Sequence, residues 1–177
     1  MSDLPKRKNI RLKDFDYSQN GAYFITICTK DKRKIFGDIS NGMIVLSNYG
    51  TIAARNINLI SRHIDDVYVD KYVVMPNHVH MMIFVMRTPC MVSLQPDNFV
   101  GTRYIVSDMV SAQTRSKQII PKTVQQYKAS VSRNAGVKGL WQSKYHDHII
   151  RNEEEYNKIW EYIDTNPLKW ELDCYFN

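Results

Sequence analysis

Two histidines one residue apart, His78 and His80, interrupt VVMPNHVHMMIFV (73–85), a run that otherwise reads as a buried strand. Side chains alternate along a strand, so His78 and His80 share one face with Met82 and Phe84, while Val79, Met81, Ile83 and Val85 share the other. A strand apolar on both faces is a central, covered strand. Imidazoles at its start need partners, because an unsatisfied buried polar group costs roughly 1–3 kcal/mol. Core histidines satisfied by their neighbours would meet that need, and so would a metal site on which both rings converge. Two rings on one face favour the metal, which then requires a third ligand. His-x-His alone does not fix the chemistry. His146 and His148 repeat the spacing in YHDHIIR, but Asp147 and Arg151 offer them ordinary partners, so this pair reads as structural or substrate-facing.

No serine or cysteine motif for acyl transfer stands out. Tyrosine is abundant, with eleven in the chain, and two fall on expected helices beside basic or polar neighbours: Tyr127 in VQQYKASVSR and Tyr162 in KIWEYIDTNP. Helical spacing separates them. Val124, Tyr127 and Val131 form one apolar stripe with Tyr127 at its centre, a core position. The second stripe is Tyr156, Ile159, Trp160 and Ile163, with Tyr162 at its edge and Asn166 one turn on along the same side. A tyrosine at a stripe edge is ordinarily a core residue whose hydroxyl reaches water, so spacing alone assigns no catalysis.

The elements that would carry these residues follow from local pattern. AYFITICTK (22–30) is rich in aromatic and β-branched residues and reads as a first strand; MIVLS follows the Asn41-Gly42 turn as a second. Ile52, Ala53, Ile57 and Ile60 give helical spacing over about 48–63. VYVDKYVVM and HVHMMIFV form two strands broken at Pro76-Asn77. Residues 87–120 hold no clean period and read as an irregular insertion. Pro121 suits the first turn of a helix running to about Asn134 and stopped by Gly136. YHDHIIR is a short strand, and Asn152 followed by three glutamates caps a helix that ends near Thr165 at Asn166-Pro167. Strands mixed with helices and joined by hairpin-like junctions predict an α+β fold, an antiparallel sheet with packed helices, in one domain spanning 1–177.

Charge points to the partner class. Lys and Arg number 24 against 18 acidic residues, a net +6. Between Asp108 and Asp147 there is no acid, yet Arg115, Lys117, Lys122, Lys128, Arg133, Lys138 and Lys144 fall there, and the arm over 1–20 carries KRKNIRLKDF. Such runs are usually solvated charge; two of them, one on an expected helix, also fit a phosphate backbone. Cys28, Cys90 and Cys174 are widely spaced and odd in number, which fits a reducing compartment. No signal peptide or stretch of ~20 apolar residues is visible, so a cytoplasmic, nucleoid-associated protein is expected. A Gly-rich phosphate loop is also lacking, and no nucleotide cofactor is expected.

Three blocks in order, MPNHVH, WQSKYHDHIIRNEEEY and YIDTNPLKW, resemble the REP-associated tyrosine transposases, part of the wider HUH class of single-tyrosine transposases related to the IS200-like elements. The resemblance runs from about Tyr23 to Trp170. It implies a ferredoxin-like HUH fold and a divalent cation, Mg²⁺ or Mn²⁺, held by His78, His80 and Asn166. It also implies Tyr162 as the nucleophile, acting on single-stranded DNA hairpins to give a 5′-phosphotyrosine and a free 3′-hydroxyl. Lys122, Lys128, Arg133, Lys144 and Arg151 are the candidate DNA contacts, and monomer and homodimer both stay open. A hairpin-binding module that does not cut, and a phosphodiesterase that activates water beside the same metal, are the competing readings, together with a decayed transposase that keeps only the fold.

Overall fold

The computed structural model describes residues 20–86, 118–172 and 175–176. The expected basic arm, apart from Asn20, and the bulk of the expected insertion lie outside the described residues, as do Cys90 and Cys174.

The described residues form six strands and four α-helices. They are β1 (Gly21–Cys28), β2 (Gly37–Ser40), β3 (Met43–Leu46), α1 (Asn48–Asn58), α2 (Ile60–His63), β4 (Val67–Met75), β5 (His78–Val85), α3 (Ile119–Ala135), β6 (His146–Ile150) and α4 (Glu153–Thr165), the last followed by a 3-10 segment over Asn166–Leu172. The main sheet is four-stranded and antiparallel throughout, in the order β4-β5-β1-β6; β2 and β3 form a separate hairpin. The expected α+β fold with helices on an antiparallel sheet is the one observed, and β5 is internal as its two apolar faces require.

Alternation along the strands sends side chains into two cores. On one face Ile25, Ile27, Val79, Met81 and Ile83 pack with Ala53 and Ile57 of α1 and Val124, Tyr127 and Val131 of α3. On the other, Ala22, Val73, Met75, Met82 and Ile150 pack with Ile163 of α4 and Trp170 of the 3-10 segment. The sheet is thus covered on both sides, and the histidine face is the one under α4.

Local chemistry explains the helix ends. Ser47 Oγ accepts the Gly50 amide at 3.1 Å and so caps α1. Gly50 has to be glycine because a Cβ there would collide with the Phe36 carbonyl. Gly136 ends α3 in the left-handed region at φ 66, with the Val137 N–H returning to Ser132 O. The buried Asn56 ties α1 to α3 by accepting from Ser130 Oγ and Asn134 Nδ2.

Two boundaries and the burial of one residue differ from the sequence reading. The expected helix over 48–63 is broken at Leu59, which leaves the helical ladder at φ −90 and ψ −11 while both Ile57 and Ile60 stay in the core. Ile119 and Ile120, placed in the insertion, form the first turn of α3, and Ile120 is buried. Helix α4 ends at Thr165, as Asn166-Pro167 predicts; proline removes one donor, and the chain continues as a tighter 3-10 turn. Trp160, assigned to the apolar stripe, is 39% exposed, its ring covered by Lys71 Nζ at 3.4 Å.

Candidate active site

Pro76 and Asn77 are the two turn residues joining β4 to β5, with Met75 paired to His78. The turn is clamped from outside: the Phe36 amide donates to Pro76 O and the Thr29 amide to Asn77 O, both at 2.9 Å. His78 and His80 leave this corner toward the α4 face, both fully buried, with ring centroids 4.4 Å apart and Nε2 atoms 2.9 Å apart. Each ring is held from behind through Nδ1, His78 by Asn77 Oδ1 and His80 by Thr26 Oγ1, at 2.8 Å in both cases. Burial, helped by the nearby charge of Lys32, lowers the His78 pKa to about 3, so this ring is neutral and can offer a lone pair.

Tyr162 comes to the pair from α4. Its hydroxyl lies 3.3 Å from His80 Nε2, and Phe24 stacks on the His80 ring from the sheet side. At 38% exposed, Tyr162 is also open to solvent. Helix α4 is anchored by Asn152 Oδ1 accepting the Glu155 amide at 2.8 Å and, further along, by the buried Ile163. Asn166 follows Tyr162 by one turn and is buried; beyond it, in the 3-10 segment, the Trp170 ring lies 6.0 Å from His78.

The C-terminal residues complete the enclosure. The Tyr175 ring lies 4.6 Å from the His78 ring and 5.9 Å from that of His80, and Asn77 Nδ2 donates to Tyr175 O at 2.7 Å. Lys32 Nζ stands 5.8 Å from the Tyr175 ring, and Lys34 Nζ stands 4.6 Å from Phe176 and 5.7 Å from Trp170. Sequence reasoning missed Tyr175, Lys32 and Lys34. The basic run KDKRK (30–34) directly after β1 was the available signal for the lysines; nothing in the periodicity marks Tyr175.

No family model matches the chain. A Haemophilus influenzae protein, named only as uncharacterized, is 34% identical over 174 residues, covering 94% of this chain and 91% of that one. A second protein of the same species, provisionally named a REP-associated tyrosine transposase, is 23% identical over 155 residues, covering 87% of this chain and 74% of that one. The solved structure of a REP-associated tyrosine transposase bound to a REP hairpin shares the fold, with a TM-score of 0.58 at 18% identity over 90% of this chain and 74% of that one. The chain thus shares the fold of a REP-associated tyrosine transposase and is similar in sequence to a second protein that carries that name.

The expected site residues divide into two groups. His78 and His80 lie on the sheet face covered by α4, which carries Tyr162, and Asn166 is buried at the C-terminal end of that helix. Lys122, Lys128 and Arg133 are on α3, whose core residues pack on the opposite face. Lys122 and Arg133 are exposed, whereas Lys128 Nζ donates to the carbonyls of Gln142 and Lys144 at 2.7 and 3.1 Å and so holds the loop before β6. Lys144 and Arg151 flank β6, the edge strand beside β1, and both are exposed. The partner expected for His148 is corrected: its Nε2 meets Glu155 Oε1 at 2.6 Å, because the first turn of α4 folds back over β6. Glu155 also accepts the Arg151 amide at 2.8 Å, and these two bonds, that amide first, hold its carboxyl below the usual range.

The donor set fits a shared cation. Two imidazole nitrogens converge to 2.9 Å in a buried place, a donor pair that would suit a shared cation. Among the described residues no cluster of three or more His, Cys, Asp or Glu forms. Among the described residues, no helix is long and apolar enough to cross a membrane.

Proposed function

We propose that this protein is a transposase that cuts and rejoins single-stranded DNA beside hairpins, with Tyr162 as the nucleophile and with His78, His80 and Asn166 holding Mg²⁺ or Mn²⁺. The observation that carries the proposal is the Tyr162 hydroxyl 3.3 Å from His80 Nε2, beside a second imidazole nitrogen 2.9 Å further on. A solvent-open phenol next to a buried imidazole pair is an arrangement suited to phosphoryl transfer, in which positioning and charge stabilisation do most of the work. The DNA hairpin is inferred from the related protein solved with one.

In the reaction, Tyr162 Oη forms a bond to the scissile phosphorus as the bond from phosphorus to the 3′ oxygen breaks. The phenol loses its proton and the 3′ oxygen gains one, leaving a 5′-phosphotyrosine and a free 3′-hydroxyl. A second 3′-hydroxyl reverses the step, and since the phosphodiester is never hydrolysed no ATP is needed. A divalent ion, when bound, polarises the phosphate and offsets charge on the leaving oxygen. His78 and His80 present that ion from a rigid central strand, and α4 sets the distance of Tyr162 from it. Lys32 and Lys34, at the edge of the same enclosure, supply positive charge for the DNA backbone.

The test uses hairpin DNA with single-stranded flanks, labelled on either side and incubated with Mg²⁺ or Mn²⁺, then run on a denaturing gel. Wild type and Tyr127→Phe should both form a protein–DNA adduct, since Tyr127 is buried with its hydroxyl on Ala53 O at 3.3 Å. Tyr162→Phe should form none while still binding the hairpin. An adduct that persists in Tyr162→Phe sinks the assignment. Cleaved ends without an adduct in wild type would instead identify a phosphodiesterase that activates water, and binding with neither outcome a hairpin-binding module.

A further inference from the structure

We infer that Asn77 and Thr26 are positioning residues that decide which nitrogen each histidine presents to the ion. The inference rests on the metal reading above and extends it to two residues outside the ligand set. It starts from the C-terminal tail. Tyr175 O is a carbonyl and can only accept, so the group of Asn77 that meets it at 2.7 Å is the NH₂. That fixes the amide orientation and leaves Oδ1, a pure acceptor, 2.8 Å from His78 Nδ1. His78 Nδ1 must therefore carry the proton. A neutral ring has only one, so its Nε2 is bare and faces His80.

A flipped Asn77 would reverse this. Its NH₂ would face His78 Nδ1, draw the proton to Nε2 and close the lone pair to a cation. The flip is opposed by Tyr175 O and by the complete burial of Asn77, whose own carbonyl is held by the Thr29 amide. The tail thus orients a ligand it does not touch through the metal-facing edge.

His80 is handled differently. Thr26 Oγ1 lies 2.8 Å from its Nδ1, and a hydroxyl can either donate or accept. Without an ion, the 2.9 Å gap between the Nε2 atoms is satisfied when His80 Nε2–H donates to the bare Nε2 of His78, and Thr26 then donates to Nδ1. With an ion shared between the rings, the His80 proton sits on Nδ1 and Thr26 accepts it. Asn77 is thus the fixed member and Thr26 the adaptable one, and the second change needs only rotation of a hydroxyl.

The experiment has two readouts on the full chain. Long-range ¹H–¹⁵N spectra of the metal-free protein, with His78 assigned by loss of its signals in His78→Gln, should show His78 protonated on Nδ1. Added Mg²⁺ should move the His80 proton from Nε2 to Nδ1. Calorimetric titration with Mn²⁺ should then show Asn77→Leu and Thr26→Val binding about 10- to 100-fold more weakly than wild type. Thr26→Ser, which keeps the hydroxyl, should stay within about threefold, a rescue that a merely structural role would not give. His78 protonated on Nε2 in wild type overturns the inference without requiring any variant to fold. Val and Ser at 26 behaving alike also overturns it. A wild type with the expected His78 tautomer that binds no Mn²⁺ overturns the metal reading beneath it, so the two failures are distinguishable.

Discussion

Ile163→Ala is the perturbation that most directly tests how the sheet places Tyr162, the proposed nucleophile. Ile163 is 1% exposed and packs with Met82, Val73 and Trp170, directly beside Tyr162 in sequence. Truncating a buried isoleucine to alanine costs about 2–5 kcal/mol, against about 0.5–1.5 kcal/mol for Ile163→Val. For a chain of this size each kcal/mol lowers Tm by about 2–4 °C, so the alanine variant should melt about 4–20 °C lower. The contact from Tyr162 to His80, at 3.3 Å, is worth no more than about 1.5 kcal/mol and cannot hold α4 in place once its packing is lost. A displacement of about 1 Å at a reacting atom costs on the order of 100-fold in rate. Single-turnover adduct formation, measured at 20 °C and well below both melting points, should therefore fall by about 10- to 100-fold in Ile163→Ala and by less than about threefold in Ile163→Val. Hairpin affinity should change little in either. An alanine variant that loses the expected stability yet forms adduct at the wild-type rate would refute the claim that packing of α4 on the sheet sets the Tyr162 position.

Asn152→Ala should lower stability by about 1 kcal/mol through loss of the cap on the Glu155 amide, read by thermal melting, with adduct formation retained because the far end of α4 stays anchored by Ile163. Neutralising Lys32 and Lys34 to Gln should weaken hairpin binding and reduce its salt dependence by about 0.7–0.9 per phosphate contact removed. Lys128→Gln should instead reduce stability, because its ammonium holds the 142–144 loop, and leave the salt slope unchanged. Glu155 has a carboxyl pKa depressed in the folded state, so it contributes stability above its unfolded value of about 4.3 and loses it as pH falls through the folded value. Urea melts of wild type and Glu155→Gln should accordingly differ at pH 6 and converge toward pH 3.

What the sequence made legible was local. The Pro76-Asn77 break, the Asn152 cap, the Gly136 stop and the period-2 strands each follow from one residue type in one backbone role, and the elements form where those signals fall. The His78–His80 face and the shared side of Tyr162 and Asn166 are likewise periodicity arguments. The rest depended on tertiary contacts that no period encodes. Leu59 breaks a helix without a glycine or proline to announce it, and Ile119-Ile120 begin one with no side-chain cap on Gln118. Trp160 leaves its stripe because a lysine from β4 offers its ring a better partner than the core does. Tyr175 reaches the histidines only because the chain, after the 3-10 turn, comes back over the β4–β5 corner.

The internal position of β5 has a further consequence. Its backbone is hydrogen-bonded on both sides, to β4 and to β1, so the amides around Val79 and Met81 should exchange with deuterium only on global unfolding. Helix α4 has no such neighbours and covers the sheet from outside, with Tyr162 and Trp160 both facing water. The histidine half of the site is therefore built into the most slowly exchanging part of the molecule, while the tyrosine half belongs to a faster unit. In the proposed reaction, a DNA strand joined to Tyr162 would then move away from the histidines and return by a local opening, at a cost well below that of unfolding the sheet.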